Sequence, residues 1–151
     1  MNRRRIDFLK QDFRQGFPAA CGLEAEEVGE GSFVSRLQLG RDHVQQDGFV
    51  HAGVMATMAD HTAGYAAYTV VSEEMRILTV EFKINYFRPA SGEAVVCRSS
   101  VISLGRRIIV AESEVFSVSR SQEARVAKAL VTLMAVPAAQ LKDYATGQAA
   151  E

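Results

Sequence analysis

The stretch from Ala52 to Val71 limits this chain more than any other. Asp60 is the one residue in it that is surely charged; Ala, Gly, Val, Met, Thr and Tyr make up nearly all the rest, with His61 as a second polar residue. A helix apolar on every side is a buried helix, and small side chains let other backbones come close. The preceding segment, Arg41 to Gly48, is polar and reads as a loop, so the helix is expected to start at about His51. An acid alone among about twenty apolar and small residues is rarely buried without a partner or a task. Asp60 is therefore either a carboxylate held in a cleft or an acid on a short exposed stripe.

The flanks read as one domain over residues 1–151, long enough for a substantial core. Ile6, Phe8, Leu9, Phe13 and Phe17 have helical spacing, and Gly16 with Pro18 ends the run. Residues 1–18 are thus expected to hold one helix that packs on the body or covers a pocket. Cys21–Glu27 and Ser32–Leu39 read as strands around a Gly29-Glu30-Gly31 turn. Ile77–Phe87 alternates, with Leu78, Val80, Phe82, Ile84 and Tyr86 on one face and Thr79, Glu81, Lys83 and Asn85 on the other, the period of a half-buried strand. Glu93–Ser103, Arg107–Ser119 and Ala124–Val136 follow as strands joined by short turns. The tail from residue 138 is expected to be flexible, with a short helix over Ala138–Tyr144. One long buried helix followed by consecutive strands points to an α+β fold, an antiparallel sheet wrapped around the helix.

Charge and motif content narrow the function classes. Lys and Arg total 17 against 18 Asp and Glu, so nothing points to nucleic acid or an anionic membrane. Arg3-Arg4-Arg5 is too brief for a binding arm, and no apolar segment follows it as in a signal peptide. Asp60 near the centre of the apolar helix would cost roughly 2.5–3.5 kcal/mol on insertion, which argues against a membrane span. Cys21 and Cys97 lie far apart without metal-ligand spacing and read as reduced core residues of a cytoplasmic protein. There is no Gly-rich nucleotide loop, no Cys/His cluster and no Ser-centred nucleophile elbow. No metal and no separate cofactor is expected.

Gly48, His51, Ala52 and Gly53 precede an apolar helix with Asp60 nine positions after His51 and Ala63-Gly64-Tyr65-Ala66 in its middle. Leu78-Thr79-Val80-Glu81-Phe82 and Tyr86-Phe87-Arg88-Pro89-Ala90 come next. Over about Gly40 to Val136, this combination resembles the hotdog-fold acyl-CoA thioesterases, in particular their PaaI-like branch. The resemblance implies a hotdog fold and hydrolysis of an acyl-CoA with a medium-chain or aromatic acyl group, coenzyme A being part of the substrate. It places Gln45 at the carbonyl or the water, His51 in loop positioning, Thr79 beside the catalytic carboxylate, and Gly53 and Gly64 among the substrate-binding residues. Two positions depart from the branch: Ala52 stands where Gly is usual, and Gln45 where Asn is usual, as in another branch that pairs Gln with Glu. The combination of Gln45 with Asp60 is therefore mixed, and the substrate subclass stays open.

The chemistry of a thioester hydrolase fits these positions. The first N–H groups of a helix lack intrahelical partners and sit at the positive end of its dipole, so the Ala52 N–H suits an oxyanion. Asp60 suits a general base toward water or a nucleophile forming a mixed anhydride. Eight residues of helix separate the two, roughly 12 Å at 1.5 Å per residue. One carbonyl carbon cannot lie within about 3 Å of both, so a shared site needs two chains, a homodimer with antiparallel helices and composite active sites. Dimer and tetramer both remain open. Arg88, Arg106 and Arg107 are candidates for the coenzyme A phosphates, although arginines at exposed turns are commonly just solvated. Two other readings stand beside hydrolysis: a non-catalytic acyl-CoA-binding or regulatory protein on the same fold, and a hydratase or dehydratase, which would want a His where Asp60 stands.

Overall fold

A computed structural model describes residues 1–145. The chain runs α1 (Arg3–Phe13), α2 (Gly16–Ala20), β1 (Leu23–Gly29), β2 (Ser32–Gln38), a 3-10 turn (Arg41–His43), α3 (Ala52–Tyr68), β3 (Met75–Tyr86), β4 (Ala94–Leu104), β5 (Ile108–Ser119), β6 (Gln122–Pro137) and α4 (Ala138–Ala145). The remainder of the expected tail lies outside the described residues. All six strands join one antiparallel sheet in the order β1-β2-β4-β5-β6-β3, and α3 lies across one face of it. This is the expected α+β arrangement of a sheet curled around one long helix. No helix among the described residues is long and apolar enough to cross a membrane.

The core lies between α3 and the sheet because the two surfaces match in period. Alternate residues of the central strands, among them Val95, Cys97, Ala111, Val115, Ala129, Val131 and Leu133, point at the helix and are buried. From α3, Met55, Met58, Ala59, Ala63 and Ala66 meet them. A seam of hydroxyls crosses this apolar layer. Ser35 and Thr62 share a hydrogen bond of 2.6 Å, Ser99 and Ser113 another of 2.6 Å, and Ser113 donates to the Ala59 carbonyl at 2.7 Å. No buried side-chain polar atom among the described residues lacks a partner, as burial of such groups requires.

α3 is not buried all round. Gly53 is exposed, and Thr57, Asp60, His61 and Gly64 continue from it as a half-buried stripe on the side away from the sheet. The N-terminal segment covers part of that side. Asn2 caps α1 by accepting from the Arg5 N–H at 2.9 Å. Leu9 and Phe13 are fully buried, and the Phe13 ring lies 5.0 Å from both Phe33 and Tyr65. The run does not end at Pro18, as the sequence suggested. After a turn at Gly16 the separate helix α2 forms, with Pro18 in its first turn, where a missing N–H leaves no hydrogen bond unmade.

β3 departs from its expected alternation for a local reason. Its register against β6 shifts between Thr79 and Glu81, so Val80 is an extra residue in a β-bulge. Ile77 packs on the core before the bulge and Ile84 after it, which an unbroken count of two forbids. Thr79 consequently shares the helix side of the sheet with Phe82 and Tyr86. Nor is the strand half-buried: it is the sheet's edge, and Leu78, Val80, Phe82 and Tyr86 are all exposed.

The β5–β6 turn carries strain. Its central residues, Arg120 (φ 48°) and Ser121 (φ 63°), are both left-handed although neither is glycine. That conformation costs roughly 1–2 kcal/mol per residue, more than the about 0.5–1 kcal/mol that glycine's freedom costs in the unfolded chain. Ser121→Gly should therefore stabilise the fold by about 0.5–1 kcal/mol and raise Tm by about 1–4 °C. A thermal melt with no gain or a loss would show that the turn is not strained.

Candidate active site

The loop before α3 is built to present its first residue. Val44 and Val50 form a β-bridge; the Gln45 N–H donates to the Phe49 carbonyl (2.8 Å), and the Gly48 N–H to the Gln45 carbonyl (2.9 Å). Gly48 sits at φ +82°, a conformation that explains glycine at this motif position. The chain then docks through Val50 N–H to the Ala90 carbonyl and His51 N–H to the His43 carbonyl, each 2.8 Å. His51 is the N-cap of α3, and its Nδ1 accepts from the Gly53 N–H at 2.9 Å, which places the ring's proton on Nε2 in the neutral form. The Val54 N–H reaches the His51 carbonyl at 3.0 Å. The exposed Ala52 N–H makes no hydrogen bond among the described residues. Tyr86 holds this end in place, its hydroxyl donating to the Ala52 carbonyl at 2.9 Å; burial raises its pKa and keeps it a donor.

Gly53 has a structural part at this helix start. Its N–H is occupied by His51, and a Cβ there would lie 3.0 Å from His51 Nδ1 and 3.3 Å from Cε1. What Gly53 supplies is room for the cap.

Two turns along α3, Asp60 Oδ1 accepts from the Thr79 hydroxyl at 2.7 Å. Asp60 is half-buried, and its Oδ2 has no hydrogen-bond partner among the described residues. It opens into a cleft of about 410 Å³ with Ala56, Thr57, His61, Phe82, Phe17 and Pro18 around it. His61 therefore faces the same space as Asp60, not a separate side of the helix. Its Nε2 is 3.0 Å from the Phe13 carbonyl, to which it donates. Burial pulls its pKa below the ordinary histidine value, against the opposing influence of that carbonyl and of Asp60 and Asp12. The imidazole is a neutral strut between helices.

One chain therefore holds the expected site residues in two separate groups. Gln45, His51, Ala52 and Gly53 gather at the start of α3, and Asp60 and Thr79 near its middle. Gly64 lies farther along the half-buried stripe, and a Cβ there would meet nothing within 4 Å. Residues 47–124 of this arrangement match the model of the thioesterase superfamily.

The chain belongs to that superfamily. It is similar to a solved thioesterase family protein from Silicibacter pomeroyi, with 34% identity and a TM-score of 0.84 over 88% of this chain and 98% of that one. A thioesterase structure from Haemophilus influenzae, 20% identical with a TM-score of 0.80 over 87% of this chain and 90% of that one, shares the fold. In sequence the chain is 24% identical over 139 residues to a medium/long-chain acyl-CoA thioesterase of Escherichia coli, spanning 81% of this chain and 86% of that protein. The protein is a hotdog-fold thioester hydrolase.

The arginines of this thioesterase do not form one cluster. Arg106 and Arg107 share the β4–β5 turn, Arg88 follows β3, and all three are exposed. Leu78 and Ile108 both pair with Met134, whereas Tyr86 pairs with Ala127. The eight residues from Leu78 to Tyr86 span roughly 26 Å at 3.3 Å each, so within one chain Arg88 and Arg107 lie at opposite ends of the sheet. Residues that sequence patterns did not single out also stand at these two groups. Nothing in the run Tyr86-Phe87-Arg88-Pro89-Ala90 marks the Tyr86 hydroxyl as a partner of Ala52, and Phe17 and Pro18 reach the Asp60 cleft only through tertiary folding.

Proposed function

We propose that this thioesterase cleaves acyl-CoA with a medium-chain or aromatic acyl group, acts in the cytoplasm, and belongs to the PaaI-like branch of its superfamily. One observation carries the mechanism: an N–H at Ala52 that is unpaired among the described residues and a Thr79-oriented carboxylate at Asp60 lie on one rigid helix, too far apart to serve one carbonyl. The thioester oxygen sits at the Ala52 N–H of one protomer, helped by Gln45 and by the positive end of α3. The partner's Asp60, with Oδ1 held by the partner's Thr79, takes a proton from water through Oδ2. The water oxygen bonds to the carbonyl carbon, the C–S bond breaks, and the departing thiolate takes the proton back. Water activation is preferred here to direct attack by the carboxylate.

The open edge of β3 supports a two-chain site. It is twelve residues long, paired on one side only, and carries exposed Val80, Phe82 and Tyr86. Such an edge is a template for a second strand. A two-fold dimer with antiparallel α3 helices also brings the partner's Arg107 to the level of Arg88 along the helix, reuniting the cations that one chain separates. Pairs of such dimers would give a tetramer.

Thiol release from a panel of aliphatic and aromatic acyl-CoAs tests the activity; no release from any of them would overturn the reading. The shared site has its own test. Gln45→Ala and Asp60→Ala homodimers, each nearly inactive, are unfolded and refolded together in equal amounts. About half the dimers are then mixed, and each mixed dimer holds one intact and one doubly damaged site. The mixture should recover about a quarter of wild-type activity. If it stays as inactive as its parents, Gln45 and Asp60 work within one chain.

A further inference from the structure

Beyond the acid and the oxyanion donor, the Asp60 cleft has a wall supplied by the N-terminal segment. At about 410 Å³ the cleft falls within the range of small-molecule sites. Phe82 of β3 forms one side of it, Phe17 and Pro18 of α2 the other, with Asp60 and His61 between them. Phe17 is 67% exposed and Phe82 38% exposed. Two aromatic rings left in water beside a carboxylate form an apolar rim around a polar point, the form taken by a surface that binds something. This rim is anchored. The Asp12 carboxylate accepts from the Tyr65 hydroxyl at 2.7 Å, and the Phe13 carbonyl accepts from His61 at 3.0 Å. Both donors stand on α3, one and five residues after Asp60. The helix that carries the acid therefore also fixes the segment that turns at Gly16 and lays Phe17 over it.

We infer that Phe17 and Pro18 hold the acyl group of the substrate, which makes α2 a specificity element for apolar chains. The inference rests on the acyl-CoA reading above. A chain of several carbons or an aryl ring reaches between Phe17 and Phe82 while its carbonyl stays near Asp60; a two-carbon acyl group does not. The protomer that contributes Asp60 to a composite site contributes this wall with it.

The sequence contains no Trp, so Phe17→Trp places a single indole on the wall. Its emission should shift to the blue with octanoyl-CoA, less with acetyl-CoA, and not with free CoA. In parallel, Phe17→Ala should raise KM for octanoyl-CoA about tenfold more than for acetyl-CoA, the loss expected for one buried aromatic contact. Phe17 is exposed, so neither variant threatens the fold. If the wild type hydrolyses octanoyl-CoA but the indole does not respond, or KM changes equally for both substrates, the specificity wall is overturned and the hydrolase reading stands. If no acyl-CoA is hydrolysed yet the indole responds to octanoyl-CoA, the wall stands as an apolar-ligand site and the acyl-CoA hydrolysis reading falls. Absence of both overturns both.

Discussion

Ala52→Pro should lower kcat by about 10²–10³-fold, the loss seen on removing one oxyanion donor, in a protein that still folds. The substitution is unusually clean at this position. Ala52 is the first residue of α3, where proline is favoured. Its N–H makes no hydrogen bond among the described residues, so none is lost. His51, at φ −63° and ψ 136°, already has the extended conformation that a residue before proline requires. The variant removes a donor and little else. Ala52→Gly, which keeps the N–H, should retain activity and admit bulkier thioesters. Circular dichroism checks the fold, and thiol release checks the rate. A folded Pro variant with full activity would move the oxyanion site elsewhere.

The second large effect is expected from Asp60→Asn, which should reduce kcat by on the order of 10²-fold or more. Asparagine keeps the size of the side chain and an oxygen that can accept from the Thr79 hydroxyl, so the 2.7 Å contact survives. What disappears is the capacity to take a proton or to attack as a carboxylate. Wild-type turnover by the purified, folded variant on its best acyl-CoA would take Asp60 out of the chemistry.

Much of this arrangement could be read from residue order, and the exceptions have identifiable causes. The start of α3 was legible because the polar run Arg41–Gly48 gives way at His51 to small and apolar residues. The strands were legible within one or two residues because glycine, proline and polar turns bound them. A count of two along β3 failed at Val80 because a bulge inserts a residue without changing the residue types that mark a strand. The exposure of the same strand was hidden because apolar alternation signals a face that can be buried, not what buries it. Pro18 misled because proline ends helices and begins them with equal ease. Neighbours on a helix point about 100° apart, so nothing in residue order says that Asp60 and His61 share one cleft; it takes in both because α2 roofs it with Phe17 and Pro18. That roof depends on contacts across some fifty positions, such as Asp12 with Tyr65, which no local pattern contains.

The hydroxyl seam beneath α3 matters for an atom it never meets. A helix of alanines and methionines could roll on an apolar sheet at small cost, and a roll of one residue, about 100°, would swing Asp60 away from Thr79. Ser35 to Thr62 and Ser113 to the Ala59 carbonyl close at one roll angle only. At any other angle the hydroxyls would be stranded, at about 1–3 kcal/mol each. The aim of the acid is thus set from below by serines out of reach of any substrate. Exchanging Ser35, Ser99 and Ser113 for alanine and Thr62 for valine together removes both partners of each pair and leaves a core no less apolar. The expected result is a protein that melts near the wild-type temperature and hydrolyses slowly, its acid present but no longer pointed.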